Sequence, residues 1–135
     1  MPAKYAYDTE GNILHTYHSG ILTVSDFCHH FQAIIRDNKT RRGYIEVVHL
    51  HEVIDFAFTS REAVAIIECF QAMHPELGSK GTIFIGPGQL QFGLSRIMKS
   101  LHEIYTPDYE VRVAKNSDEA EKEIQKIKRK KPPAA

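Results

Sequence analysis

Two periodicities alternate along the chain. "KYAYD" and "NILHTYH" are short runs of aromatic and β-branched residues joined by "TEGN". They predict a β-hairpin with Glu10, Gly11 and Asn12 in its turn. In "SGILTVSDFCHHFQAIIRDNK" the period lengthens, and Val24, Phe27, Cys28, Phe31, Ile34 and Ile35 form one apolar helical stripe. Thr23 fits the N-cap, with Asp26 three residues on, near the positive end of the helix. The polar stretch "RDNKTRRG" breaks the pattern and ends in Gly43.

"YIEVVHL" reads as a third strand and "HEVIDFAF" as a loop of mixed polarity. Thr59-Ser60-Arg61-Glu62 then has the spacing of a capping box, with Thr59 as N-cap and Glu62 at the third helical position. Ala63, Ile66, Ile67, Phe70 and Met73 form the inward stripe of that helix, and "HPELGSKG" ends it. "TIFIG" is apolar throughout, as expected of a strand buried on both faces. "PGQLQFGLSRIMKSLHEIYT" carries Leu90, Leu94, Ile97, Met98, Leu101, Ile104 and Tyr105 at helical spacing, and Pro107 stops it. "YEVRVA" alternates as a strand. "NSDEAEKEIQKIKRKK" predicts a closing helix with Ala120, Ile124 and Ile127 inward.

The order β-β-α-β-α-β-α-β-α predicts one α/β domain over residues 1–128, followed by a basic, Pro-containing disordered tail at 129–135. Helices between strands call for right-handed parallel crossovers, and the hairpin adds an antiparallel edge to give a mixed sheet. Sites in such sheets gather beyond the carboxyl ends of the strands. "VVHLHEVIDFAFTS" and "IFIGPGQ" both fall there.

Composition narrows the function classes. Seventeen basic and seventeen acidic residues cancel, so no overall field recruits nucleic acid or an anionic membrane. No stretch of about 18 apolar residues is present to span a membrane. The polar start "MPAKYAYDTEGN" lacks the apolar core of a signal peptide, and the expected location is the cytoplasm. Cys28 and Cys69 make no disulfide framework and sit in no CxxC pair; on helices among apolar residues, they read as small buried hydrophobes.

Several groups could carry chemistry. His49 and His51, two apart on a strand, point to one side and could ligate a metal with Glu52 or Asp55. A third ligand is unmarked, since His15, His18, His29 and His30 carry no ligand signature. Ligand counting therefore predicts polar histidines at a strand end beside an interaction surface, with metal binding as the alternative. "GPGQLQFG" sets Gly86 and Gly88 at a strand-to-helix turn, where a helix N-terminus could meet an anion. Its glycines match neither GxGxxG nor GK[ST], so a tight turn is the simpler reading, with Gly93 allowing close packing. No nucleophile elbow or HExxH is present. Lys126, Lys128, Arg129, Lys130 and Lys131 have no interleaved aromatics for stacking nucleic acid and suit a helix C-terminus instead.

The arrangement resembles the STAS fold of bacterial anti-sigma-factor antagonists and the wider SpoIIAA-like group, from about residue 4 to residue 127. "SGILTVSDFCHHFQAI" resembles its second strand and first helix, and "VVHLHEVIDFAFTSREAVAII" its central strand, loop and second helix. "GTIFIGPGQLQFGLSRIMKSL" and "YEVRVAKNSDEAEKEI" resemble its last two strand-helix units. Signalling members carry an Asp-Ser-Ser-Gly-type motif at the start of that second helix, and a partner kinase phosphorylates a serine in it. Here Asp55 stands for the Asp and Thr59 or Ser60 for the hydroxyls. The Ser-Gly pair is missing and Arg61 occupies the glycine position, so the motif is degenerate.

The resemblance implies a non-catalytic regulatory or protein-interaction module without a cofactor. Its partner-binding or phospho-acceptor surface would comprise Asp55, Phe56, Phe58, Thr59 and Ser60, with a protein partner and a possible homodimer. A testable consequence concerns the cap. Thr59→Ala should cost ~0.5–2 kcal/mol in chemical unfolding, whereas Thr59→Asp, which also caps, should be nearly neutral. Equal losses in both variants would refute the assignment.

Overall fold

The computed structural model describes residues 3–130. The expected order is present: β1 (Lys4–Asp8), β2 (Ile13–Leu22), α1 (Val24–Asp37), β3 (Ile45–Phe56), α2 (Ser60–Leu77), β4 (Gly81–Ile85), α3 (Gln89–Tyr105), β5 (Glu110–Ala114) and α4 (Ser117–Arg129). The five strands form one sheet in sequence order. β1 runs antiparallel to β2, and every other neighbouring pair is parallel.

Both forecast N-caps form capping boxes. The Thr23 side chain accepts from the Asp26 amide at 3.2 Å while Asp26 accepts from the Thr23 amide at 2.8 Å. Thr59 and Glu62 reciprocate at 3.1 and 3.0 Å. Each box satisfies two of the backbone donors that a helix start leaves open.

Strand alternation sends side chains to two separate cores. One face of the sheet contributes Leu14, Leu22, Val48, Leu50, Phe84 and Val111, packed under Phe27, Phe31 and Ile34 of α1, Ile66, Ile67 and Phe70 of α2, and Leu94 and Met98 of α3. The other face contributes Ile13, Ile45, Val47, Ile83, Ile85 and Ala114, covered by Ala120, Ile124 and Ile127 of α4. Strands laid down in sequence order through right-handed crossovers put α1, α2 and α3 on the same side. α4 follows the last strand without a crossover and is free to close the opposite side. Every residue of β4 is buried, as its unbroken apolar sequence requires.

Four expectations are corrected. "HEVIDFAF" is not a loop: β3 continues to Phe56, its backbone satisfied by pairing with β2, and two register shifts absorb the departure from strict alternation. Gly20, at φ 72°, supplies the conformation that β2 needs at the second shift. Ile104 and Tyr105 are exposed at the end of α3, because α3 outlasts the core beneath it. Gly93 faces open space, so close packing does not explain it. Finally, Cys28 and Cys69 are not isolated hydrophobes. They are half-buried and joined as a disulfide between α1 and α2, with Cα atoms 5.9 Å apart and no free cysteine among the described residues.

Of the forecast tail, Arg129 is the last residue of α4 and Lys130 pairs with Glu110; positions 131–135 lie outside the described residues. No helix among the described residues is long and apolar enough to cross a membrane.

Ile83 is fully buried at the centre of the second core. Ile83→Ala should cost ~2–5 kcal/mol, the usual range for truncating a sealed core residue. A loss below about 1 kcal/mol in urea unfolding would mean that α4 does not close that face.

Candidate functional site

β3 outruns its neighbour. Its pairing with β4 stops at His49–Ile85, while its pairing with β2 continues to Leu22–Phe56. The result is a two-stranded ribbon projecting past the carboxyl end of β4. On this ribbon Val53 turns inward to the first core, and its carbonyl accepts from the Gln91 side chain of α3 at 2.7 Å. Ile21 and Ile54, on adjacent strands one position out of register, turn outward and are 57% and 72% exposed.

The chain then turns from the ribbon into α2, and here the expected surface residues divide. Asp55, Thr59 and Ser60 are exposed; the Asp55 carboxylate accepts from the Phe56 amide at 2.8 Å. Phe58 is buried in the first core, edge-on to Phe27, and Phe56 is half-buried against the same core and against Phe58. The two phenylalanines therefore anchor the turn from beneath. The Thr59 hydroxyl is engaged in its capping box, whereas the Ser60 hydroxyl makes no hydrogen bond among the described residues.

His49 and His51 are not at a strand end, because β3 continues beyond them, and they do not converge. His49 stacks on Tyr17 at 4.5 Å and lies 2.9 Å from the His15 ring nitrogen, while the His51 ring stands perpendicular to it at 6.5 Å and faces Glu52. Among the described residues no group of three or more His, Cys, Asp or Glu side chains is arranged to hold a metal ion. Burial, with the neighbouring His15 and His51 adding to it, pushes His49 down to about 4. The stack covers the part of the sheet that α4 leaves bare.

Gly86 is explained by packing. A side chain there would meet the Gln91 backbone at 2.6 Å, so the first turn of α3 can close on β4 only over glycine. Gly86 and Gly88 also line a shallow depression of about 250 Å³ with Phe92 and Lys115, whose ammonium lies 5.4 Å from the Phe92 ring centre. The Gln91–Val53 bond confirms that this turn and the β3 extension are neighbours.

The sequence reading missed a polar cluster inside the first core. Glu46, only 5% exposed, projects from β3 between the sheet and the helices. Its carboxylate accepts from the Thr16 hydroxyl at 2.7 Å and from His30 Nε2 at 2.6 Å. An ionised carboxylate only accepts, so Nε2 of His30 carries the proton. Burial alone would raise the Glu46 pKa, but His30 and Thr16 outweigh it and hold the carboxyl below its usual value. His18, edge-on to His30, is 2% exposed, and its Nε2 has no hydrogen-bond partner. Glu46, His30 and His18 line a small cavity with Thr82 and His102. A carboxylate in the otherwise apolar "YIEVV" was the available signal. His30, three residues after Phe27 and four before Ile34, lies on the buried stripe of α1 and was its partner in plain view.

No family model matches the sequence, and no curated protein matches it. Among solved structures, the chain is similar to an uncharacterised protein of the DUF3478 family, with a SpoIIAA-like fold, from Shewanella loihica PV-4. Identity is 15% over 90% of this chain and 91% of that one, with a TM-score of 0.59. It also aligns with the anti-sigma factor antagonist SpoIIAA in its unphosphorylated form, at 10% identity over 95% of this chain and 99% of that one, with a TM-score of 0.46. The fold is thus SpoIIAA-like, a single STAS-like α/β domain with a mixed five-stranded sheet.

The buried histidine gives a pH dependence. Burial first, then the charge of His30, pushes His18 down to about 4. The unfolded chain takes up that proton near pH 6.5. Between those values the unfolded state binds more protons, so stability is complete above about pH 6.5 and falls toward pH 4, by up to ~3 kcal/mol for this residue. His18→Leu should flatten the profile by as much as ~1.4 kcal/mol per pH unit, the slope of one proton. Denaturant titrations at pH 7 and pH 5 with equal slopes in both proteins would contradict the burial of His18.

Proposed function

We propose that this chain is a non-catalytic regulatory or protein-interaction module. Its partner-facing surface is the start of α2 together with the projecting β2–β3 ribbon. The observation that carries this reading is the side-by-side exposure of Ile21 and Ile54 beside Asp55, Thr59 and Ser60. An exposed apolar pair with a polar rim suits a protein contact, and the buried Phe58 and half-buried Phe56 hold the adjoining turn in place. Phe56 and Phe58 contribute to the surface as supports, and a partner meets Ile21, Ile54, Asp55 and Ser60 directly.

Modification would act on this surface through charge. A phosphate on Ser60 would sit at the positive end of α2, where an anion is favoured. The Thr59 hydroxyl already caps that helix, so phosphorylation there would cost the cap. Ser60 is therefore the better acceptor. Asp55 on the adjoining ribbon would repel a phosphate, which makes the modified and unmodified surfaces electrostatically distinct. The partner is a protein, either another chain or a second copy of this one, and the module works without a cofactor in the cytoplasm.

A photo-reactive residue at position 54 tests the surface in cell extract, with position 125 on α4 as control. A discrete cross-linked product from position 54, absent from position 125, is expected. Ile21→Asp should abolish it without changing the unfolding midpoint by more than about 2 °C, since an exposed residue contributes little to stability. Equal products from both positions would remove the ribbon as the interface. Sedimentation of the purified chain distinguishes a second copy from another protein.

A further inference from the structure

The geometry points to the Cys28–Cys69 pair as a thiol–disulfide exchange site for a dithiol reductant, whose state sets how firmly α2 is held against α1. The Cα separation of 5.9 Å lies inside the window in which two cysteines join without backbone movement. The bond ties positions 41 residues apart and uses both cysteines of the chain. It is not sealed in the core, since both residues are half-buried at the edge of the α1–α2 seam. Disulfides that a thiolate can reach are the exchangeable ones.

The seam beneath the bond is aromatic. Cys28 follows Phe27, which packs against His18 and meets Phe58 edge-on. Cys69 precedes Phe70, which meets Phe31 edge-on at 5.7 Å. Phe58 immediately precedes Thr59, the cap of α2. The covalent tie therefore connects, through one layer of rings, to the turn that presents Asp55, Thr59 and Ser60. With the tie closed, α1 and α2 are one unit. With it open, their register rests on ring packing, which tolerates small shifts.

The exchange balances simply. A thiolate of the dithiol attacks one cysteine sulfur, the Cys28–Cys69 bond breaks, and the other cysteine leaves as a thiolate. The second thiol of the reagent attacks the mixed disulfide, closes its own disulfide and releases the first cysteine. Two electrons pass to the protein, the two cysteine sulfurs end as thiols, and the dithiol is oxidised. A small dithiol and a protein dithiol of the Cys-x-x-Cys kind share this chemistry. The inference rests on the proposed interaction surface only for the site that the switch would control.

The test uses the full chain, purified without reductant and alkylated before and after treatment with dithiothreitol in the absence of denaturant. No label before treatment and two labels after it are expected. Amide hydrogen exchange over the first two turns of α2 should quicken by roughly fivefold or more in the reduced protein and in the Cys28→Ser/Cys69→Ser variant. A thioredoxin-type enzyme in place of dithiothreitol tells whether a protein dithiol reaches the bond. Two labels in untreated, air-oxidised protein would mean that the pair is not linked. Labelling only in denaturant would rule out an exchange site, and identical amide exchange in all three proteins would rule out coupling to α2. None of these readouts involves a partner, so their failure is distinct from failure of the cross-link at position 54.

Discussion

β4 has no side that faces water, and the rest of the architecture follows from covering it twice. Its five residues are all buried, and β3 and β5 flank it in parallel register. A parallel strand of this composition is stable only between two layers. Right-handed crossovers taken in sequence order supply three helices to one face and none to the other. The second face therefore depends on α4, whose Ala120, Ile124 and Ile127 seal β4 and its neighbours. One helix cannot cover five strands. The β1–β2 side of that face is left to its own side chains, and the Tyr17–His49–His15 stack serves as its cover.

Inside the three-helix face the structure accepts a buried carboxylate. An unpaired charge there would cost several kcal/mol. Glu46 is instead satisfied from β2 by Thr16 and from α1 by His30. The cluster therefore links three elements, and its geometry requires α1 to cross the sheet where His30 meets β3. Packing of apolar side chains alone is less directional. In this group only His18 Nε2 lacks a hydrogen-bond partner, and burial together with the charge of His30 outweighs the pull of Glu46 and keeps the ring neutral.

The two ends of the sheet have different tasks. At the amino ends of the strands, Lys130 pairs with Glu110 and Ile127 packs against Gly81, closing α4 over β4 and β5. At the carboxyl ends, β2 and β3 continue past the last β4 residue and present exposed isoleucines beside a capped helix start. An apolar surface is tolerable there because the buried Phe58 and half-buried Phe56 fix the backbone that carries it. The aromatic seam that fixes it also runs to the disulfide, so one layer of rings joins the surface, the histidine cluster and the covalent tie.

Local sequence determined the order of elements, both helix N-caps, the capping box at Thr59, the double burial of β4 and the inward stripe of α4. Each of these depends on residues within a few positions of one another. The length of β3 was not legible in "HEVIDFAF", because its polar and apolar residues alternate irregularly and only pairing with β2, through two register shifts, holds them extended. Nor was the division of the expected surface legible, in which Phe56 and Phe58 turn inward while Ile54 turns out. The α1–α2 disulfide and the Glu46–His30–Thr16 cluster join residues far apart in sequence; helical spacing puts His30 on the buried stripe of α1, but no local pattern pairs it with Glu46 or tells Cys28 from a small core residue. Those pairings exist only where α1, α2 and the sheet meet, so tertiary structure alone decided them.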